Sequence, residues 1–417
     1  MLTVINKNDI EQRFSGPVDA EAEKIVSSII KDVKNRGDNA LYEYCVKYGD
    51  AEKGANIIIT AQELKKAADS IPDDQLQLLK RTAKRIETFA QAQLDSINET
   101  IVKIPGGETG QQISPVERAC CYAPGGRFPL PSSVLMTAVT AKVAGVKEIW
   151  VTSPNPVPIT MAAAYVAGAH ALVSAGGAQS IAAFAYGTGS IPVCDVIVGP
   201  GNKYVTAAKK LVFGNVAIDM LAGPSELTVL ADKHASAEII AADLLAQAEH
   251  DVVAIPILVT DSSELLQEVN NQLKNQLEVL TTKETASKSL KNGFAVIVDN
   301  IDEGITICNR LAPEHLEILT ENAWEVSKKC NNYGGLFIGE NSAEVFGDYG
   351  AGPNHTLPTG GTARYTGGLS VFDFLRIRTW IRIDSSTDSK ELIRDCSALA
   401  DLEGLHAHAE AARKRVK

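Results

Sequence analysis

At 417 residues, 45% hydrophobic and 22% charged, the chain has the composition of a globular protein with two or more cores of about 100 to 200 residues each. It holds no run of about 18 apolar residues to cross a bilayer as a helix, which excludes a helical membrane protein. The net charge of -11 repels phosphate backbones and argues against nucleic acid, leaving a small molecule as the expected partner.

The start, MLTVINKNDIEQRF, lacks the basic-then-apolar order of a secretory signal, and the seven cysteines are scattered without a Cys-x-x-Cys pair. Both point to the cytoplasm and to free thiols, with neither a disulfide framework nor a thiolate zinc site. The first hundred residues read as helices: Leu76, Leu79, Ala83, Ile86 and Ala90 recur at steps of three and four and form an apolar stripe. After CCYAPGGRFPLP the pattern changes. Short β-rich runs (EIWVTS, ALVSAGG, DVIVGPG) alternate with alanine-rich helical runs (PITMAAAYVAGA, AQSIAAFAYG, NKYVTAAKKLV), which implies a parallel sheet with ligands at the carboxyl ends of its strands. Further strands at LTVLAD, IPILVTD, FAVIVDN and GGLFIGE predict a second α/β unit over about 226–369. The last fifty residues hold an alternating stretch, RIRTWIRI, suited to pairing with another subunit, and then helices broken at Gly404.

Three glycine-rich turns follow predicted strands: YAPGG (122–126), SAGGAQ (174–179) and VGPGNKY (198–204). Glycine allows close approach to the backbone and a helix N-terminus favours an anion such as pyrophosphate, so nucleotide binding is expected although none is a full G-x-G-x-x-G fingerprint. Tyr122, Gln179 and Asn202 stand in or beside these turns. In DLLAQAEHD, Asp243, Gln247 and His250 fall at spacings of four and three on one helix face; the spacing alone leaves open whether that face is a ligand set or a wet surface. In LAPEHLEI, Pro313 ends a helical run and sets Glu314 and His315 side by side in an exposed turn, a carboxylate and an imidazole available for proton transfer. His170 and His234 read as structural.

These segments occur in an order that resembles the histidinol dehydrogenase family across essentially the whole chain. The resemblance is carried by YAPGGRFPLPSSVLM, GGAQSIAAFAYGT, VGPGNKYV, LAGPSELTVLAD, DLLAQAEH, LAPEHLEI, GDYGAGPNHTLPT, GGLSVFDF and EGLHAH. It implies a zinc- and NAD-dependent enzyme of histidine biosynthesis that oxidises L-histidinol through L-histidinaldehyde to L-histidine with two NAD+. By position, Gln247, His250, Asp348 and His408 match the ligands of one zinc ion per subunit, while Asp243 has no such role. Glu314 and His315 match the catalytic pair, His315 as general base and Glu314 activating water. Ser225, His355, Glu403 and Ser132 match substrate contacts, as do the zinc ligands and His315, and Tyr122, Gln179 and Asn202 match NAD contacts.

The fold implied is α/β: two incomplete, intertwined Rossmann-like lobes with a helical N-terminal region and a small C-terminal helical extension. The expected division is a 1–17 tail, a zinc and catalytic domain of 18–121 plus 226–369, a NAD-binding domain of 122–225, and a 370–417 segment that completes the partner's site in a homodimer. The chain departs from the family's common pattern at Asp251, in RIRTWIRI and at His406. A carboxylate at Asp251 is positioned in sequence to orient His250. The alternative is a paralogous zinc/NAD dehydrogenase of another small alcohol, such as a sulfonated diol.

Overall fold

The computed structural model describes residues 1–10, 18–125 and 129–415. Residues 11–17 of the expected tail and Gly126, Arg127 and Phe128 of the first glycine turn and its extension lie outside the described residues, as do residues 416 and 417. Two six-stranded sheets form the centres of two lobes. In the first the strands lie in the order Ile58–Thr60, Ala171–Val173, Glu148–Thr152, Arg118–Tyr122, Val196–Val198, Ala217–Ile218, all parallel except the first. The chain starts this parallel set at Arg118–Tyr122, builds outward on one side, then returns to build on the other. Such a reversal opens a crevice at the carboxyl ends of the two central strands.

The second sheet repeats the order: Thr3–Val4, Phe294–Ile297, Ile255–Thr260, Glu226–Ala231, His315–Leu319, Gly335–Ile338, all parallel. Its central strands, Glu226–Ala231 and His315–Leu319, are buried along their whole length, as strands covered by helices on both faces must be. Each expected strand and each alanine-rich helix is present, including Pro158–Ala167, Gly177–Tyr186 and Lys203–Val212.

The division of the chain differs from the expected one. The helices Ala20–Arg36, Asp38–Tyr48, Ala61–Ser70 and Asp73–Asp95 pack on the first lobe, not the second: Val26, Ile29 and Val33 share a core with Val173, Ile181 and Val205, and Leu64, Leu79 and Ile86 with Val134 and Ala163. Their apolar stripes need a partner surface, which the helices of the first sheet supply. Residues 1–10 are no free tail: Thr3–Val4 is an edge strand of the second sheet and Ile10 is buried in its core.

A third, antiparallel sheet joins Thr100–Ile104, Gly107–Pro115 and Leu375–Ile383. The RIRTWIRI stretch therefore pairs within its own chain, over nine residues with Gly107–Pro115, rather than waiting for a second subunit, though Ile377, Ile381 and Ile383 stay exposed. The helices Lys390–Leu402 and His406–Arg413 follow, broken at Gly404, whose φ of 75° only glycine adopts readily.

Candidate active site

In the second lobe the functional residues stand at the amino ends of the central strands, opposite to the carboxyl-end rule. Ser225 precedes the strand Glu226–Ala231, and Glu314 precedes His315–Leu319. The helix Ile301–Leu311 ends at Ala312, held at φ 47°, and Pro313 then turns the chain into the sheet. Glu314 and His315 are thus side by side, as expected, but buried instead of exposed. Their burial is compensated by partners. Glu314 Oε2 accepts the Ser225 hydroxyl at 2.5 Å and the Glu226 N–H at 2.9 Å, and Ser225 Oγ in turn accepts from Gln247 Nε2 at 2.7 Å. His315 Nδ1 lies 3.1 Å from the Glu226 carbonyl oxygen, which can only accept, so Nδ1 carries a proton and Nε2 is the nitrogen turned into the site.

From the helix Ala237–His250, His250 projects toward Asp348 of the helix Glu344–Tyr349, and Gln247 toward Ser225. His250 Nε2 is 3.6 Å from Asp348 Oδ2, and one ligand atom each from His250, Glu344 and Asp348 lies within 4.8 Å of the others. His315 Nε2 is 3.6 Å from Glu344 Oε1 and 3.7 Å from Asp348 Oδ1. Three buried atoms of this group have no hydrogen-bond partner: Gln247 Oε1, His315 Nε2 and Glu344 Oε1. Buried polar atoms are nearly always paired, so three orphans in one place mark a site for a ligand. His355 joins them, its Nδ1 2.9 Å from the Asp348 carbonyl oxygen and its Nε2 3.4 Å from Ser133 Oγ. Ser133, next to the expected Ser132, is the serine that meets His355.

The electrostatics follow from crowding carboxylates in a buried site. Burial alone would lower the His315 pKa, but Glu314, Asp348 and Glu344 outweigh it and raise the value to about 10. Burial pushes Glu314 up, against the pull of His315, and pushes Glu226 up to about 8, with the Glu314 charge adding to the effect. Asp348 is held below the usual carboxylate range because His315 beside it, helped by the charges of His355 and His250, outweighs the cost of burial. Asp243 is no ordinary surface residue: burial raises its pKa, and it neighbours Glu317, whose Oε1 accepts the Glu344 N–H at 2.9 Å.

The first lobe holds a cavity of about 740 Å³ at its sheet reversal, lined by Tyr122, Gln179 and Asn202 among others. This size is ordinary for a small-molecule site. The strand ends meet closely because residue 199 is glycine: with φ 114°, a Cβ there would lie 2.1 Å from the Tyr122 carbonyl oxygen. The expected anion site at a helix N-terminus is already filled from within the chain. The N–H groups of Gly176 and Gly177 donate to Asp50 Oδ2 (2.9 Å) and to the Tyr122 phenol oxygen (3.3 Å), and Asn202 Oδ1 caps Tyr204 and Val205. Gln179 Nε2 also donates to Asp50, at 3.1 Å.

Glu403 and His408 are exposed, Glu403 at the end of the helix Lys390–Leu402 and His408 on the helix His406–Arg413. Among the described residues the group around His250 draws on Glu344 and Asp348 but not on His408, so the expected four-ligand set does not assemble within one chain. Asp251 does not orient His250; its Oδ1 accepts the Val253 N–H at 3.1 Å. His406 pairs with Asp401 at the surface. Sequence reasoning missed Glu344, Asp50 and the role of Glu226. Only Glu344 had a signal, its spacing of four from Asp348 on one helix face.

The histidinol dehydrogenase family model matches residues 14–416. A histidinol dehydrogenase of Lactococcus lactis is 43% identical over 413 residues, covering 96% of this chain and 95% of that one. One from Methanocaldococcus jannaschii is 42% identical over 397 residues, 94% of this chain and 92% of that one. The crystal structure of histidinol dehydrogenase from Elizabethkingia anophelis superimposes with a TM-score of 0.92 at 34% identity, over 100% of this chain and 98% of that one.

Proposed function

The chain belongs to the histidinol dehydrogenase family, and on that premise we propose that it oxidises L-histidinol through L-histidinaldehyde to L-histidine with two NAD+ at a zinc-dependent site. The observation that carries this reading is the convergence of the orphaned His315 Nε2 and Glu344 Oε1 around His250 and Asp348, with the orphaned Gln247 Oε1 on the amide that bonds Ser225 beside Glu314. Imidazole, carboxylate and carboxamide oxygen suit a borderline metal such as zinc, and the unpartnered Gln247 oxygen is the atom such an ion would satisfy. Gln247, His250 and Asp348 would hold it, with His408 of the partner subunit as fourth ligand. Zinc would supply a template that grips the imidazole and amino nitrogens of the substrate. NAD+ in the first-lobe cavity, against Tyr122, Gln179 and Asn202, would accept a hydride at each oxidation.

The chain's own residues account for the proton steps. His315 is fixed by Nδ1–H to the Glu226 carbonyl, and a cation held by Asp348 would offset the carboxylates that raise its pKa, leaving Nε2 to take the proton of the alcohol. Glu314, fixed by the Ser225 hydroxyl and the Glu226 N–H, takes a proton from the water that adds to the aldehyde. Ser225, Ser132, His355 and Glu403 of the partner subunit would orient the substrate. A homodimer is supported by exposed apolar residues on both sides of the proposed contact: Val345, Phe346 and Tyr349 beside Asp348, and Leu399, Leu402 and Leu405 beside Glu403. Cytoplasmic residence is supported by seven free cysteines, six of them buried.

The test is stoichiometric. With limiting L-histidinol and excess NAD+, absorbance should report two NADH per histidinol consumed. One NADH with accumulating aldehyde would rule out the four-electron reaction.

A further inference from the structure

Glu226 is fully buried at the start of the central strand Glu226–Ala231, where a carboxyl group is costly unless it is bonded. Three parts of this residue hold the catalytic turn. Its N–H donates to the Glu314 carboxylate, its carbonyl faces His315 Nδ1, and its Oε1 accepts the N–H of Glu314 at 3.3 Å and of Gly360 at 2.9 Å. The first two belong to the main chain and survive substitution. Only the carboxyl group ties residue 314 to the 359–361 loop, and Thr359 in turn accepts the N–H of Gly223, two residues before Ser225. Burial, reinforced by the Glu314 charge, raises the Glu226 pKa to about 8. At neutral pH the group therefore accepts both N–H groups without setting a second negative charge beside Glu314.

We infer that Glu226 is a positioning residue, whose carboxyl group clamps the Pro313–His315 turn to the 359–361 loop and thereby sets where the Glu314 carboxylate stands. The inference rests on the role proposed above for Glu314. Glu226 touches no substrate; it acts through its neighbour. Misplacing a catalytic group by about 1 Å costs on the order of a hundredfold in rate, so Glu226→Ala should lower kcat by about that factor in the zinc-loaded dimer while KM for histidinol moves little. Glu226→Gln keeps the Oε1 acceptor and should restore kcat to within a few-fold.

The decisive measurement is a double-mutant cycle with Glu314→Gln. If Glu226 acts through Glu314, adding Glu226→Ala to the Glu314→Gln enzyme should lower the residual rate less than about twofold. Multiplicative losses would overturn the inference, as would Glu226→Gln as slow as Glu226→Ala, or Glu226→Ala at the wild-type rate. Should Glu226→Ala fail to fold, Glu226→Asp, which withdraws the acceptor by one methylene, takes its place in the cycle under the same criteria. A fully active Glu314→Gln enzyme would remove the role proposed for Glu314, whereas an impaired one with multiplicative losses overturns the inference about Glu226 alone.

Discussion

His250 is half exposed and its ring faces Asp348, which keeps His315 beside it, so removing it leaves no buried group stranded. His250→Ala should therefore fold with a thermal midpoint within a few degrees of wild type, yet lose its zinc and its activity. Full metal content in the purified variant, measured by atomic emission, would show that the helix face is only a wet surface. Asp251 gives the opposite expectation: because its carboxylate takes the Val253 N–H, Asp251→Gly should leave zinc affinity unchanged, and a tenfold weakening would contradict that placement. Glu226 carries a pH signature. Its folded pKa of about 8 exceeds the ordinary value of 4.5, so the folded state binds the proton more tightly. Stability is then lost as pH rises from about 4.5 to about 8, by up to roughly 1.4 kcal/mol per unit, and no further above that. Glu226→Gln lacks this loss. Its stability relative to wild type in urea titrations should grow across that window and level off beyond it; a difference constant with pH would refute the assignment.

The strands and helices were legible because each is a short run with one period, bounded by glycine or proline, and such local signals suffice for existence and type. The strand His315–Leu319 was not. HLEIL carries an imidazole and a carboxylate and follows Pro313, which reads as an exposed turn, whereas the buried Glu317 accepts the Glu344 N–H and lies beside Asp243. Those partners are distant in sequence, and no window around residue 315 contains them. The same holds for the N-terminal helices, whose stripes declare a buried face but not which lobe covers it. Gln247 and His250 were legible as a pair because one helix supplies both. The close meeting of the two strand ends at Gly199 gives a prediction at this scale. Gly199→Ala would force a Cβ to 2.1 Å from the Tyr122 carbonyl in a backbone conformation of φ 114°, which L-residues rarely adopt. It should destabilise the first lobe by about 2 to 4 kcal/mol and raise KM for NAD+. Gly404→Ala, with φ 75° and nothing within 4 Å of the new methyl, should cost only about 1 to 2 kcal/mol. Equal losses for the two would show that conformation alone, without the close approach, matters at residue 199.

At the scale of the molecule, His408 and Glu403 are exposed, and His408 stands outside the group of His250, Glu344 and Asp348. If the C-terminal helices act on the partner, inactive His250→Ala and inactive His408→Ala dimers should complement each other. A mixed dimer has one site with both defects and one with neither, so random subunit exchange should restore about a quarter of wild-type activity. Background activity in demonstrated mixed dimers would place the tail on its own subunit's site. The path of the chain has a different consequence. Thr3–Val4 pairs with Phe294–Ile297, so this edge strand is synthesised about 290 residues before the neighbouring strand it pairs with. At about 5 to 20 residues per second, that strand waits some 15 to 60 s, while residues 18–218 are free to build the first lobe. The second lobe is completed only by reaching back across the first, a contact of long sequence separation that makes its closure a late step in folding.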